Sequence, residues 1–322
     1  MLKTVITLGP SSSEKDVIMR LLPVANKFRL NTSHINEKEL DVWLLKLKEI
    51  FKEAGRQIPV VIDLQGGKMR IGKYPSCEKI PDEVTIFLGT ESVLCSEIPV
   101  PHESFFSSLK VDDVMSLNDS RITLRVIRGS ENKAYAKVLQ NGPLSSNKGI
   151  NRKKHPVDFR ELTKKDKMII QLSLKYDFTE FAFSFTYNGA EADIIRPYIR
   201  DRKLIAKIER PEAFECLNMI DSKFNEIWLC RGDLGAQAGI FALGALQKIF
   251  VAKIKEMKNN CFLAGQVLEH MTHFKNPTRS EIVHLYDIEE NGFGGIVLSD
   301  ETAIGRNIPE IVDFLNQLRN KT

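Results

Sequence analysis

The sequence has few cysteines, and their pattern suits neither a zinc site nor a disulfide framework. Five cysteines occur in 322 residues, an odd number without CxxC spacing, and three of them lie within apolar segments. This usage is typical of reduced thiols in a cytosol. The sequence also lacks a secretory apolar segment after Met1 and any apolar run of membrane-spanning length. These absences predict a cytoplasmic protein without a membrane partner.

An excess of charge of one sign is also absent. The net charge is +4, and the basic residues are dispersed apart from the short run 152–154. Such a run is typical of a solvated loop, so a nucleic-acid partner is not expected. With 43% hydrophobic and 27% charged residues, the chain can bury a large core. Its length predicts one large domain together with a smaller one.

Short β-branched or aromatic runs alternate with helical patterns along most of the chain. Stretches such as 37–54 and 242–257 have apolar residues at helical spacing. Eight strands that alternate with helices predict an α/β fold, an eight-stranded β/α (TIM) barrel, rather than an open sheet. The predicted strands are Thr4–Leu8, Val24–Leu30, Val60–Leu64, Phe181–Phe185, Leu204–Ile208, Ile227–Cys230, Cys261–Leu263 and Gly295–Leu298.

The alternation is interrupted once, between the third and fourth predicted strands. From Gly72 to about Asn151 the chain changes to short alternating runs, including 84–88, 122–127 and 133–138, with turn residues between them. This predicts an inserted all-β domain that lies over the carboxyl-end face and acts as a lid. The alternative is an insertion without function, which loops tolerate easily. The expected division is barrel 1–71, lid 72–151 and barrel 152–322.

Two acidic residues close predicted barrel strands. Glu209 ends the run that contains Lys207, and Asp233 ends the run that begins at Ile227. The carboxyl ends of the strands form the functional face of a β/α fold, so these three charged side chains are expected to converge on one ligand. Two carboxylates suit a hard cation such as Mg²⁺, which keeps its other positions for water and substrate oxygens. The alternative is a surface ion pair between Lys207 and Glu209, with Asp233 capping the next helix or holding a turn.

Several segments, taken in order, resemble the pyruvate kinase family over almost the whole chain. No single segment decides the resemblance, which rests on their order and spacing. They are Thr7–Ser12, Phe28–His34, Asn147–Asn151, Lys207–Glu209, Arg231–Gly235, Pro277–Glu281 and Leu298–Ala303. The resemblance implies a glycolytic phosphotransferase that moves a phosphoryl group from phosphoenolpyruvate to ADP, giving pyruvate and ATP, with Mg²⁺ or alternatively Mn²⁺.

The resemblance also implies roles for individual residues. Lys207 and Arg29 would neutralise the transferring phosphoryl group, with Lys68 beside them as a third catalytic cation. By matching position, the metal ligands are Glu209 and Asp233, the substrate-binding residues Gly232, Asp233, Gly265 and Ser184, and the nucleotide-binding residues Arg70, His34, Lys148 and Pro10. For Arg29, Arg70 and His34 the alternative is a structural role.

Most members of the family require K⁺, and this chain differs from them at the corresponding site. The site would correspond to Asn31, Ser33, Asp63 and the Leu64 carbonyl. Within Asp63–Ile71, the residues that differ from K⁺-dependent members, and resemble the K⁺-independent branch, are Leu64, Gln65, Lys68 and Ile71. The ammonium of Lys68 can supply the charge that K⁺ would otherwise place near the phosphate. We expect K⁺ independence; the alternative is that Lys68 points to solvent.

Other departures concern turnover and assembly. Gly265 stands where the family has a threonine linked to enolate protonation, so either turnover is slow, a water substitutes, or the room admits a larger phosphoenol acid. Tyr187 stands where a basic residue is usual. The chain ends at Thr322, where members commonly continue into an effector-binding domain. We expect no sugar-phosphate activation, and a homodimer rather than a tetramer, with a monomer left open.

Two other functions compete with the kinase. A Mg²⁺-dependent, enolate-forming lyase or aldolase would act on a pyruvate-like substrate and need no nucleotide. A weakly active, kinase-like binding protein would keep the metal site, and Gly265 is the feature that favours it. The presence of Arg70, His34 and Lys148 favours a bound nucleotide, and therefore the kinase.

Overall fold

The computed structural model is built around a closed barrel of parallel strands. It describes residues 2–33, 35–106, 109–118, 120–152 and 161–321. The strands, in chain order, are β1 (Lys3–Leu8), β2 (Lys27–Asn31), β3 (Val60–Leu64), β4 (Glu83–Leu88), β5 (Glu97–Val100), β6 (Val114–Leu117), β7 (Ile122–Ser130), β8 (Lys133–Gln140), β9 (Ile150–Arg152), β10 (Thr179–Phe183), β11 (Leu204–Ile208), β12 (Glu226–Cys230), β13 (Cys261–Ala264) and β14 (Gly295–Leu298). The barrel closes in the order β1-β2-β3-β10-β11-β12-β13-β14, which confirms the predicted barrel.

The chain contains helices that pack around the barrel and one short helix, with Phe105 and Phe106, that packs into the core of the segment between β3 and β10. They are α1 (Lys15–Leu21), α2 (Glu37–Ala54), α3 (Glu103–Phe106), α4 (Lys164–Ser173), α5 (Ala190–Ile199), α6 (Leu217–Lys223), α7 (Arg231–Ala238), α8 (Ile240–Ile254), α9 (Arg279–Glu290), α10 (Asp300–Ala303) and α11 (Ile308–Lys321). Helix α2 shows how local sequence sets such an element. Asn36 and Glu39 form a reciprocal capping box at its start, and Gly55, with φ of 63°, ends it.

Two predicted strands differ from the structure by two residues or more at an end, and several others differ by one residue. Strand β2 begins at Lys27 rather than Val24, because Leu22–Val24 form a short 3-10 turn around Pro23. Strand β10 ends at Phe183 rather than Phe185, since Phe185 has a left-handed backbone with φ of 59°. The strand therefore ends one residue before Ser184, which faces the candidate site described below.

A second sheet lies between β3 and β10 in the chain, as the predicted insertion requires. Its strands pair in the order β5-β4-β8-β7-β6-β9, antiparallel except for β4 with β5. This lid sheet has its own core of buried side chains, which also includes Met69 and Ile71. The domain limits at 71/72 and 151/152 stay a prediction.

The lid contains a feature that differs from the sequence expectation. Cys77 and Cys95 form a disulfide across two adjacent loops, with Cα atoms 6.5 Å apart, so the expectation of five reduced thiols is not met. The hydroxyl of Tyr74 donates to the carbonyl of Cys95 at the same place. The remaining cysteines, Cys216, Cys230 and Cys261, are free.

Buried charges close the amino-terminal end of the barrel. The ammonium of Lys27 lies 2.8 Å from Glu180 and 2.7 Å from Glu226, and all three side chains are about nine-tenths buried. Glu226 also accepts a hydrogen bond from the indole of Trp228, which fills the barrel interior. Charges at this end of a β/α barrel serve stability rather than chemistry.

Among the residues that the structure describes, no helix is long and apolar enough to cross a membrane.

Candidate active site

A cavity of about 140 Å³ lies at the carboxyl ends of the barrel strands. It brings together most of the residues that the sequence singles out: Arg29, Asn31, Ser33, Asp63, Lys68, Arg70, Ser184, Lys207, Glu209, Gly232, Asp233 and Gly265. The wall also includes side chains that the sequence did not indicate: Trp228, Cys230, Ala264, Val297 and Ser299. Burial raises the pKa of the Cys230 thiol well above its usual 9.0, so this group is neutral rather than nucleophilic.

Lys207 occupies the centre of the buried charges. Its ammonium lies 3.1 Å from Asp63, 3.0 Å from Glu209 and 3.0 Å from the hydroxyl of Ser184. Burial lowers the pKa of Lys207, but Asp63 and Glu209 outweigh that effect and raise it above the usual 10.5. Lys207 and Glu209 do form an ion pair, yet both side chains are buried, so the alternative of a surface pair is wrong.

Arg29 shares the carboxylate of Asp63 with Lys207. Its Nε and Nη2 atoms lie 2.8 and 2.6 Å from Oδ2 of Asp63, and Nη1 donates to the hydroxyl of Thr7. Burial would raise the pKa of Asp63, but Lys207 and Arg29 lower it, so this carboxyl stays ionised. Two cations are thereby held at one side of the cavity by a shared carboxylate.

Asp233 lies in the first turn of α7 and is paired with Lys68 on the loop after β3. The ammonium of Lys68 is 2.8 and 2.7 Å from the two carboxylate oxygens, so Lys68 does not point to solvent. Burial would raise the pKa of Asp233, but Lys68 outweighs it and lowers the pKa. For Glu209, burial dominates and raises the pKa despite Lys207. Two neighbouring carboxyls with opposite pKa shifts are typical of a functional site.

The two carboxylates fit a hard divalent cation. Glu209 is held in place because one oxygen accepts from the backbone N–H of Phe185 at 2.8 Å, while the other faces Lys207. Oxygen ligands from two carboxylates, with open cavity space for substrate oxygens, suit Mg²⁺. Among the described residues no group of three or more His, Cys, Asp and Glu side chains is arranged to hold a metal, so water and substrate must complete any coordination.

Helix α7 begins at the rim of the cavity with the segment Arg231–Gly235. Gly232 and Gly265 both line the cavity, and a Cβ atom at Gly265 would lie 3.1 Å from the backbone nitrogen of Gly232. Gly265 has φ of 88°, a backbone conformation that favours glycine. The amino-terminal amides of a helix attract a carboxylate or phosphate, so α7 supplies a binding surface beside the carboxylates.

The residues predicted to bind nucleotide lie on one side of the cavity or outside it. Arg70 lines the cavity and donates to the carbonyl of Asn147, next to the half-buried Lys148. Lys148 also accepts a backbone hydrogen bond from Ile71, but it does not line the cavity, and neither does the exposed Pro10. His34 lies outside the described residues.

Three of the four residues that correspond to a monovalent-cation site, Asp63, Leu64 and Asn31, accept hydrogen bonds from protein donors. Asp63 accepts from Arg29 and Lys207, and the carbonyl of Leu64 accepts from the hydroxyl of Ser184 at 2.9 Å. The side chain of Asn31 accepts from the backbone N–H of Ser33. Two fixed cations, Arg29 and Lys207, therefore already bind the Asp63 oxygens that could otherwise serve as ligands for a monovalent cation.

Two buried carboxyls that hold the loops around the cavity, those of Asp166 and Glu301, gave little signal in the sequence. Asp166, in the first turn of α4, accepts from the backbone N–H groups of Gln65 and Gly66, which precede Lys68 on its loop. Glu301 accepts from the backbone of Leu268 and Ser299, and joins the ends of β13 and β14. Both carboxyls are buried, a property that the sequence pattern does not reveal, and burial raises the pKa of each.

Tyr187, which stands where a basic residue was expected, lies beside the site rather than in it. The residue is 38% exposed, and the guanidinium of Arg210 lies 4.5 Å from the ring centre. A cation is therefore supplied near this position by Arg210 through a cation–π contact.

Comparison with known proteins agrees with the geometry. Residues 1–312 match the family profile "Pyruvate kinase, barrel domain". The chain is 30% identical over 326 residues to a pyruvate kinase of Agrobacterium vitis, covering 99% of this chain and 69% of that protein. It is 30% identical over 331 residues to a pyruvate kinase of Buchnera aphidicola subsp. Baizongia pistaciae, covering 98% and 69%. A crystal structure of a pyruvate kinase from Cryptosporidium parvum has the same fold, with a TM-score of 0.85 at 23% identity over 98% of this chain and 68% of that one.

Proposed function

Because this chain belongs to the pyruvate kinase family and is a phosphotransferase of that type, we propose that it transfers the phosphoryl group of phosphoenolpyruvate to ADP, giving pyruvate and ATP. The observation that carries this proposal is the position of Lys207, which lies between Asp63 and Glu209 at the centre of the cavity. Phosphoryl transfer requires positioning and cationic stabilisation rather than covalent chemistry by the protein, and a buried ammonium provides both.

In this proposal each charged side chain of the cavity has a defined role. Arg29 and Lys207 stabilise the charge on the transferring phosphoryl group, and Lys207 also stabilises the enolate oxygen as the phosphoryl group leaves. Glu209 and Asp233 would hold Mg²⁺, or Mn²⁺, which when bound polarises the substrate oxygens and offsets their charge. The N–H groups of Gly232 and Asp233 bind the substrate carboxylate, and Ser184 orients Lys207 through a 3.0 Å hydrogen bond.

The nucleotide would bind on the side of Arg70, with Lys148, His34 and Pro10 as its expected neighbours. The enol carbon would lie near Gly265, which offers no side-chain donor for the final proton. The three alternatives therefore stay open: slow turnover, a proton delivered by water, or a larger substituent on the enol carbon.

We also propose that K⁺ is not required. The supporting observations are that Asp63 is held by Arg29 and Lys207, and that Lys68 brings a further ammonium into the cavity. A fixed ammonium supplies positive charge near the phosphate without a bound ion.

A homodimer and a cytoplasmic location stay predictions. Helix α8 offers an apolar surface to a second copy, since Ile240 is 78% exposed and Phe241 is 99% exposed. Sedimentation equilibrium tests the dimer, and a Phe241→Lys variant that sediments like the wild type would argue against this surface. Cell fractionation tests the location.

Phosphorus NMR tests the proposed reaction directly. The protein is incubated with phosphoenolpyruvate, ADP and Mg²⁺ in a sodium buffer, and we expect the substrate signal to be replaced by the signals of ATP. Glu209→Gln should abolish this conversion, whereas Glu256→Gln, on an exposed glutamate paired with Lys253, should not change it. Loss of phosphoenolpyruvate without ATP would indicate a different reaction, and no conversion with intact metal binding would indicate the binding protein.

A further inference from the structure

Two consecutive residues with left-handed backbone follow strand β13. Gly265 has φ of 88° and Gln266 has φ of 53°. Such a conformation in a non-glycine residue persists only where the surroundings hold it, and it is frequent at functional sites. The turn lies against Gly232, because a Cβ atom at Gly265 would be 3.1 Å from the Gly232 nitrogen. The position of the turn thus determines the space around an amide that we propose to bind substrate.

Arg231 ties this turn to helix α7. Its Nε and Nη2 atoms donate to the carbonyl of Gly265 at 2.9 and 2.7 Å, and Nη2 also donates to the carbonyl of Gln266 at 2.7 Å. Arg231 directly precedes Gly232, so one side chain fixes the turn and the substrate-binding end of the helix relative to each other.

The remaining nitrogen of Arg231 contacts His284 on helix α9. The distance from Nη1 of Arg231 to Nε2 of His284 is 2.9 Å. A guanidinium has no acceptor and stays charged, so Nε2 of His284 must accept, which requires a neutral imidazole with its proton on Nδ1. Burial and the charge of Arg231 lower the pKa of His284, and Asp287 on the same helix opposes them. Burial also lowers the pKa of Arg231, and the charge of Glu301, from α10, opposes that effect.

We propose that His284 is a positioning residue: its neutral imidazole holds Arg231, and through Arg231 it holds the Gly265–Gln266 turn against the Gly232 amide. The inference rests on the proposed function, because the amide is assigned to the substrate carboxylate. His284 itself touches no substrate and acts only through the guanidinium.

A dependence on pH follows from this contact. Above the lowered pKa of His284 the imidazole is neutral and accepts from Arg231. As the pH falls through that value, which lies below the usual 6.5, the imidazole gains a proton and presents a second donor to a cation. The contact with Arg231 is then lost, the turn is less restrained, and the affinity for phosphoenolpyruvate falls.

Two substitutions separate the acceptor from its titration. His284→Gln places an amide oxygen near the position of Nε2 and does not titrate, whereas His284→Leu removes the acceptor. The exposed His273→Asn is the matched control. The dissociation constant of phosphoenolpyruvate is measured by calorimetry between pH 5 and 8, together with KM and kcat. The ratio of wild type to variant at each pH cancels the titration of the substrate.

At pH 7.5 we expect the wild type, His284→Gln and His273→Asn to bind phosphoenolpyruvate with equal affinity. His284→Leu should bind it about fivefold more weakly, the ratio that corresponds to one hydrogen bond, with kcat little changed. On acidification the wild type should weaken relative to the Gln variant and approach the Leu variant. Equal pH profiles for wild type and the Gln variant, or a Leu variant that binds like wild type, would overturn the proposal.

Histidine NMR gives a readout that does not depend on the proposed function. With ¹⁵N-labelled histidine, the signal of His284 should show the tautomer protonated on Nδ1 at neutral pH, and its pKa should rise in Arg231→Gln. If the protein binds no phosphoenolpyruvate but His284 behaves in this way, the proposed function fails and the contact stands. A His284 that is protonated at pH 7 would contradict the contact itself.

Discussion

The ammonium of Lys68 lies within 2.8 Å of both carboxylate oxygens of Asp233, although the two residues are 165 positions apart in the chain. Lys68 is on the loop that leads from β3 to the lid, and its side chain also packs against Gly149 on the return from the lid. Asp233 is in the first turn of α7. The pair therefore links the loop between β3 and the lid to helix α7, which carries a proposed metal ligand.

Lys68 and a divalent metal should compete for Asp233. In Lys68→Met the carboxylate has no ammonium to release, so we expect the affinity for Mn²⁺ to rise about tenfold or more, the value of one hydrogen bond to a charged group. Titration followed by electron paramagnetic resonance of free Mn²⁺ measures this. Lys73→Met, on a lysine whose side chain is 76% exposed, should bind Mn²⁺ like the wild type. Unchanged or weaker binding in Lys68→Met would contradict the competition.

The turn at Gly265 should tolerate no side chain. Gly265→Ala forces a Cβ into a left-handed backbone and against the Gly232 nitrogen, so we expect about 1–2 kcal/mol of destabilisation and a higher KM for phosphoenolpyruvate. Gly239 has a similar φ of 85° but nothing within 4 Å of a built Cβ. Gly239→Ala should therefore lose stability without any change in KM. Urea unfolding and steady-state kinetics measure both, and equal KM values in the two variants would argue against crowding of the amide.

Asp166 should anchor the loop that carries Lys68. In Asp166→Ala the buried N–H groups of Gln65 and Gly66 lose their acceptor, which costs about 1–3 kcal/mol of unfolding free energy. Asp201, an exposed residue in a turn, is the control, and Asp201→Ala should change stability by less than about 0.5 kcal/mol. Amide hydrogen exchange should speed up at residues 65–68 only in the first variant. Unchanged exchange there would exclude the anchoring role.

The buried ion pairs at the opposite end of the barrel should matter for stability alone. Lys27→Met leaves Glu180 and Glu226 without their ammonium, and we expect a loss of about 3–5 kcal/mol. Lys203 is 63% exposed and 3.7 Å from Glu180, so Lys203→Met should cost at most about 1 kcal/mol. Chemical denaturation measures both variants, and similar losses in the two would refute the distinction.

Because of Lys27, we also expect the stability of the protein to depend on pH in the alkaline range. Burial lowers the pKa of Lys27, but Glu226 and Glu180 outweigh it and raise the pKa above 10.5. A raised folded-state pKa means that the ammonium contributes its full stability below about pH 10.5 and loses it as the pH rises through the raised value. The difference in stability between wild type and Lys27→Met should therefore shrink only above pH 10.5, as followed by urea unfolding at several pH values.

The strands and the main charged residues could be predicted because they depend on local pattern. Apolar runs at regular spacing predicted the eight barrel strands, and Glu209 and Asp233 were recognisable because each charge ends such a run. The Lys68–Asp233 pair could not be predicted, since it depends on how the loop between β3 and the lid packs against α7. His284 and Asp166 gave no signal because their role depends on burial and on neighbours in other helices. The Cys77–Cys95 pair depends likewise on two loops that meet only in the folded lid.

The most direct test of the central claim is the dependence of ATP formation on the monovalent cation. Initial rates are measured with saturating phosphoenolpyruvate, ADP and Mg²⁺, first in sodium and then in potassium, for the wild type and for Lys68→Glu. We predict equal wild-type rates in the two salts, and a variant that is slow in sodium and recovers in potassium, because the fixed ammonium has been removed. A wild type that is strongly activated by potassium would contradict the claim that Lys68 and its neighbours supply the charge.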